Sequence, residues 1–302
     1  MKLSVVVPCY NEVANVSEFE SELSKTLLKE KITYEIIFID DGSTDDTYSK
    51  LSSLNKANKN VKVIRFSRNF GKESAMLAGL KNASGSYVAI MDADLQHTPE
   101  MLILMYKKLI NDYSFDCCCA YKSNREDEGS LKRTLTSLFY KINNKISDVK
   151  LLPGASDFRV FKKSVCDAIT SLDEKTRFLK GMFSWVGFNT IYVPYIPEKR
   201  MYGTSKWSLF KLLKYSLGGI ISFSTKPIKS VFIIGVLALI VGLLNFILIG
   251  NLSNRTIILF ISLIMLSIGI ISLYVSRIYS NILNRPCYII KEKLGFNDKS
   301  SK

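Results

Sequence analysis

The chain is poor in the residues that most metal and nucleotide motifs require. Its 302 residues include one histidine, His97, and one glutamine, Gln96. One histidine and six cysteines with no C-x-x-C pair do not assemble a zinc set. Cys9, Cys117, Cys118, Cys119, Cys166 and Cys287 therefore read as small buried hydrophobes in a reducing compartment. No G-x-G-x-x-G follows the first apolar run, and no G-x-x-x-x-G-K-[ST] occurs anywhere, which removes the common dinucleotide and P-loop readings. No secretory leader is expected, because Met1-Lys2 runs into LSVVVP, which Pro8 cuts short. The formal net charge is +14. No zinc-finger, helix-turn-helix or RNP pattern accompanies it, so a nucleic acid partner is not expected.

What is present is a regular alternation. Apolar runs at Leu3–Pro8, Tyr34–Asp40, Val61–Ser67, Ser86–Met91 and around Cys117–Cys119 read as strands. Between them, spacings such as Val16, Phe19, Leu23 and Leu27 read as helices. Thr98, Pro99 and Glu100 form a helix start, with a cap, a first-turn proline and an acid. Near-continuous apolar strands joined by helices imply an α/β doubly wound, mostly parallel sheet covered on both faces. In such sheets ligands lie beyond the carboxyl ends of the strands. The polar clusters fall there: Cys9–Glu12, Asp40–Asp45, Ser67–Lys72 and Asp92–His97.

Two long apolar runs follow. Val231–Ile249 has one polar side chain, Asn245, and Thr256–Ser276 has no charge. Each is long enough to cross ~30 Å of hydrocarbon as a helix, and the six-residue link GNLSNR makes the pair a tight hairpin. Lys226 and Lys229 precede the first run; Arg277, Arg285, Lys291 and Lys293 follow the second. The positive-inside rule then puts both ends in the cytoplasm, giving a multi-pass protein of the cell membrane. Lys199–Lys229 carries seven Lys/Arg and no acid. Trp207, Phe210, Leu213 and Leu217 form an apolar stripe there, which suits a helix lying on anionic membrane lipid or an ordinary packed amphipathic helix. Four parts are expected: 1–198 catalytic, 199–229 interfacial, 230–277 membrane hairpin and 278–302 cytoplasmic tail.

Asp92 and Asp94 close the fourth strand one residue apart, on the same side by alternation. Turn chemistry accounts for a lone D-x-D. A divalent cation, Mg2+ or Mn2+, accounts for one beside a diphosphate, because such an ion takes one or two carboxylates plus phosphate oxygens, with Gln96 as a further oxygen ligand.

VVVPCYNE, IIFIDDGSTDDT, NFGKESAMLAGL and DADLQH, in that order, resemble the inverting family 2 glycosyltransferases of GT-A fold. GASDFRVF, RFLKGMFSWVGF, RMYGTSKW and GIISFSTKP, followed by two apolar runs, are similar to the polyprenyl-phosphate glycosyltransferases. That group includes bactoprenol glucosyltransferases and, more distantly, dolichol-phosphate mannose synthase. The resemblance implies donor-nucleotide contacts from Pro8, Tyr10, Glu12, Asp41, Asp92 and Ala93. It implies a metal held by Asp92, Asp94 and Gln96, and an acceptor-phosphate site of Arg125, Arg133, Ser137 and Arg200. Catalytic roles fall to Asp94, Arg133 and Asp157, the last as a candidate base or as the residue that orients Arg159 or a loop backbone. RFLKGMFSWVGF reads either as a core helix burying Phe178, Phe183 and Trp185 or as the border of a sugar pocket. Lys72 is either solvated or a donor contact.

The expected reaction is inverting transfer of glucose or N-acetylglucosamine from a UDP-sugar to undecaprenyl phosphate, for cell-envelope glycan modification. The alternative is a GDP-mannose-dependent polyprenyl- or dolichol-phosphate mannose synthase. A homo-oligomer, such as a tetramer, is implied by the resemblance alone. A processive polysaccharide synthase is disfavoured, since its Q-x-x-R-W motif cannot be built where Gln96 is the sole glutamine. A non-catalytic scaffold predicts decay of the acid pair and of the phosphate arginines, and both are intact.

Overall fold

A computed structural model describes residues 2–123, 130–196, 218–249 and 254–296. The described strands are β1 (Lys2–Cys9), β2 (Thr33–Asp40), β3 (Val61–Phe66), β4 (Tyr87–Ile90), β5 (Cys117–Lys122), β6 (Ala155–Lys162), β7 (Thr190–Tyr195) and β8 (Ile290–Leu294). The described helices are α1 (Val16–Lys29), α2 (Thr47–Ala57), α3 (Lys72–Asn82), α4 (Pro99–Asn111), α5 (Ser130–Ile146), α6 (Lys163–Ser171), α7 (Leu179–Trp185), α8 (Lys226–Ile249) and α9 (Asn254–Ile282).

The strands form one sheet in the order β7-β5-β6-β4-β1-β2-β3-β8. β4, β1, β2 and β3 run parallel, as their apolar character predicts. Val5, Val7, Ile36 and Phe38 face α1 and α4 through Phe19, Leu23, Leu102 and Met105. Val6, Ile37 and Ile39 face the other layer with Met76, Leu80, Ile169 and Met182. Both faces are therefore buried, which is why these strands carry apolar residues at successive positions.

The sheet is mixed rather than wholly parallel. β6 lies antiparallel between β4 and β5. That reversal matters for the site: the amino end of β6, not its carboxyl end, shares an edge with the carboxyl ends of β1, β2, β4 and β5. β8 pairs antiparallel with β3, so the segment set apart as a tail in the sequence supplies an edge strand of the sheet. Its residues, IKEKL, carry the charges by which exposed edges resist further pairing.

α4 begins as expected. The Thr98 side chain accepts from Met101 N at 3.3 Å, and Pro99 stands in the first turn. Thr98→Ala should cost about 1 kcal/mol, while Thr98→Ser should cost little. Urea midpoints of the two variants check this.

α8 and α9 contain windows of mean hydropathy 2.4 and 2.6, none of whose residues is buried inside the chain. Their apolar side chains face outward, Phe232 at 76% exposure and Ile282 at 74%. Among the described residues no protein covers these helices, and helices apolar all round suit an apolar solvent, which associates the chain with a membrane. The base of α9 is tied to the sheet domain. Arg277 donates to Gly218 O at 3.0 Å and Thr176 O at 2.9 Å, and also bonds Ser222. Tyr274 donates to Ser224 O at 2.7 Å.

Candidate active site

The loops after β1 and β2 interlock. Asn11 N donates to Ser43 Oγ at 3.0 Å, Thr44 N donates to Asn11 Oδ1 at 2.9 Å, and Glu12 N donates to Thr47 Oγ1 at 2.9 Å. Asn11 sits at φ 53°, in the left-handed region that asparagine tolerates better than most residues. Gly42, at φ 65°, packs against the Arg68-Asn69 backbone, where an added Cβ would lie 2.4 Å from Arg68 C. Only glycine lets these two loops approach so closely.

The adjacent aspartates take different tasks. Asp40 Oδ1 accepts from Ser43 N at 3.0 Å, capping the turn. Asp41 is buried and reaches across to the loop after β3. Its Oδ1 accepts from Phe70 N at 2.7 Å and its Oδ2 from Gly71 N at 2.9 Å. Burial raises its pKa to about 6, against the two amide donors, with Asp40 adding to the rise. Asp41 thus anchors the residues immediately before Lys72.

Lys72 opens α3 and points into the sheet edge. Its Nζ lies 2.7 Å from Asp92 Oδ1, 2.9 Å from Asp92 Oδ2 and 3.1 Å from Asp157 Oδ2. Asp157 enters from the amino end of β6, and Lys180 approaches its other oxygen at 3.9 Å. Burial works to lower the Lys72 pKa, but Asp92 and Asp157 outweigh it and hold the ammonium charged. Burial likewise works to raise the Asp157 pKa, but Lys72 and Lys180 hold it well below the usual carboxylate range.

Beyond Asp92 the chain turns sharply. Ala93 is buried, Asp94 Oδ1 accepts from Gln96 N at 3.2 Å, and Leu95 adopts φ 58°. A leucine in that region costs of order 1–3 kcal/mol, and such strain concentrates at functional sites. His97 is buried beneath the turn. Its Nε2 lies 3.0 Å from Tyr195 Oη and 3.3 Å from Ser156 Oγ. Burial pushes its pKa down to about 4. It serves as a neutral hydrogen-bonding prop beneath the turn.

A divalent cation fits the acid pair. Both groups present hard oxygens, and a positive group, the Lys72 ammonium, already sits on Asp92. Among the described residues no cluster of three or more His, Cys, Asp or Glu could hold an ion unaided. An ion there needs oxygens from a ligand as well.

Pro8, Tyr10, Glu12 and Asp41 fall on the same sheet edge as Asp92, Ala93 and Asp94: Cys9 pairs with Asp40 in register, and Met91 N donates to Val6 O at 3.0 Å. Arg133 and Ser137 lie one turn apart on α5, and Ser137 is exposed. Arg125 and Arg200 lie outside the described residues, as does the stripe from Trp207 to Leu217. Phe178 and Phe183 are buried as a core helix requires, but Trp185 is 59% exposed at the end of α7 and corrects that part of the reading. Two residues of the site, Asn11 and Lys180, carry no role legible from the sequence alone. Asn11 stands inside the PCYNE cluster and Lys180 inside RFLKGMFSWVGF, but only the fold brings Lys180 to Asp157.

A mixed sheet with an acid pair beyond β4, interlocked loops beyond β1 and β2, and two appended apolar helices is a glycosyltransferase of GT-A architecture. The chain belongs to glycosyl transferase family 2, whose model matches residues 4–170. It is 35% identical to an uncharacterized glycosyltransferase of Synechocystis sp., over 98% of this chain and 96% of that one. It is 36% identical to the SfII prophage-derived bactoprenol glucosyl transferase of Shigella flexneri, over 97% of this chain and 98% of that one. Among solved structures, glucosyl-3-phosphoglycerate synthase from Mycobacterium tuberculosis, in complex with Mn2+, UDP-glucose and phosphoglyceric acid, matches at a TM-score of 0.50 and 18% identity. That match covers 73% of this chain and 77% of the other, and it supports the fold.

Proposed function

We propose that the protein transfers a hexose, glucose or N-acetylglucosamine, from a UDP-sugar to undecaprenyl phosphate, with inversion, at the cytoplasmic face of the cell membrane. The observation that carries this reading is the meeting of Asp92, Lys72 and Asp157 at the carboxyl edge of a sheet joined to two helices long and apolar enough to cross a membrane. The relatives named as bactoprenol glucosyl transferases support the acceptor. The UDP-glucose and Mn2+ bound by the mycobacterial enzyme support the donor and the ion.

When bound, Mg2+ or Mn2+ would be held by Asp92, Asp94 and Gln96 and would neutralise the leaving diphosphate. The chain's own groups do the rest. Pro8, Tyr10, Glu12, Asp41 and Ala93 line the nucleotide side, with Asp41 acting through the Phe70-Gly71 backbone it holds. Lys72 supplies a positive charge beside the diphosphate. Arg133 and Ser137, with Arg125 and Arg200, hold the acceptor phosphate, where arginine's fork matches two oxygens at once. A phosphate monoester has a second pKa of about 6 and is largely dianionic at neutral pH. It attacks the anomeric carbon from the face opposite the departing diphosphate, which inverts that centre. No strong base is required. Asp157, kept ionised by two lysines, is a weak proton acceptor; we read it as the group that positions Lys72 and Lys180.

A donor panel tests this. Purified full-length protein is given undecaprenyl phosphate with UDP-glucose, UDP-N-acetylglucosamine or GDP-mannose, and lipid products are weighed by mass spectrometry. A hexosyl- or N-acetylhexosaminyl-phosphoryl lipid from a UDP donor is expected. Product from GDP-mannose alone would transfer the assignment to a mannose synthase.

A further inference from the structure

Three carboxylate oxygens lie within 3.1 Å of the Lys72 ammonium, two from Asp92 and one from Asp157. That is the kind of oxygen set a small hard cation seeks, and an ammonium now fills it. Asp92 cannot give both oxygens to Lys72 and also serve an ion without a close contact between two positive groups. Lysine differs from arginine in being a compact charge on a flexible stem, so it can leave. Lys72 also follows Gly71, at φ 95°, with open space where a Cβ would stand.

We propose that Lys72 is a resident place-holder cation: it keeps the divalent ion off Asp92 in the nucleotide-free protein and yields only when an incoming diphosphate offers it a better anion. This rests on the reading of Asp92 and Asp94 as the ion's ligands. Two consequences follow. Metal and nucleotide bind with strong positive coupling, each raising the other's affinity by the same factor. The nucleotide-free enzyme, meanwhile, keeps its half-buried acids compensated without metal.

Mn2+ binding to the full-length protein in detergent, read from the loss of the free-ion electron paramagnetic resonance signal, tests the idea with no turnover involved. Wild-type protein without nucleotide should bind Mn2+ at least ~10-fold more weakly than protein loaded with UDP, about 1.4 kcal/mol of coupling, after correction for Mn2+ held by free UDP. Lys72→Met should strengthen Mn2+ binding without nucleotide by about tenfold and shrink the coupling. Lys72→Gln, neutral but polar, should do the same if the methionine variant folds poorly. Equal Mn2+ affinity in wild-type protein with and without UDP overturns the proposal, as does an unchanged nucleotide-free affinity in both neutral variants. Those results would leave the ion site itself standing. Failure of wild-type protein to retain Mn2+ even with UDP would remove the underlying site reading instead.

Discussion

Asp94→Asn is expected to lower kcat with lipid acceptor by roughly 10²–10³-fold while leaving the fold intact. The substitution removes one negative charge and keeps the shape. The side-chain oxygen that accepts from Gln96 N at 3.2 Å survives in asparagine, so the turn that Leu95 strains to make should persist. What is lost is half of the carboxylate pair proposed to hold the cation beside the diphosphate. The loss should fall on kcat more than on KM, because the charge on the leaving group is largest in the transition state. Initial rates at saturating donor, with a thermal melt of the same preparation, separate the two effects. Full turnover by a folded Asp94→Asn protein would refute the role of that turn in the reaction.

The parallel half of the sheet was legible because its strands are buried on both faces and so are apolar without interruption. β6 was harder to see. ASDFRVFK places Asp157 and Arg159 among apolar residues, and only the resemblance drew attention to it. Its antiparallel sense brings Asp157 to Lys72, a partner 85 residues away in the chain. No local periodicity carries that information. β8 was hidden for a different reason: charge is one way a sheet edge resists further pairing, so IKEKL reads as a polar tail until β3 is placed beside it. Of the residues with positive φ or a close backbone approach, Lys31 (φ 55°) and Asn284 (φ 46°) lie elsewhere, while Asn11, Gly42 and Leu95 lie in the loops recognised as site loops. There local preference yields to function, and local rules fail where the ligand edge is built.

The largest stability effect is expected at the opposite edge of the sheet, at Glu35. This carboxylate is buried near the start of β2, among residues that should all be apolar. It accepts from Ser4 Oγ at 2.5 Å and Ser84 N at 2.8 Å, and pairs with Lys62 at 2.7 Å and Lys2 at 3.0 Å. Burial works to raise its pKa, but Lys62, Ser4, Ser84 and Lys2 together lower it to about 2 from an ordinary 4.5. A depressed folded-state value means the ionised acid stabilises the fold above the ordinary value, and the contribution is lost as pH falls from about 4.5 toward 2. The difference amounts to about 2–3 kcal/mol, allowing for partial solvation of the two lysines. Glu35→Gln should therefore be less stable than wild type by that amount at pH 7, and the two curves should converge near pH 2. His97 loses stabilisation as pH falls from 6.5 toward about 4, and Asp41 gains it between about 6 and 3.8, but both act equally in the two proteins and cancel in the difference. Urea unfolding of full-length protein followed by far-ultraviolet circular dichroism at stepped pH reads that difference directly. A gap that stays constant from pH 7 to pH 2 would show that Glu35 contributes through shape and hydrogen bonding rather than through its charge.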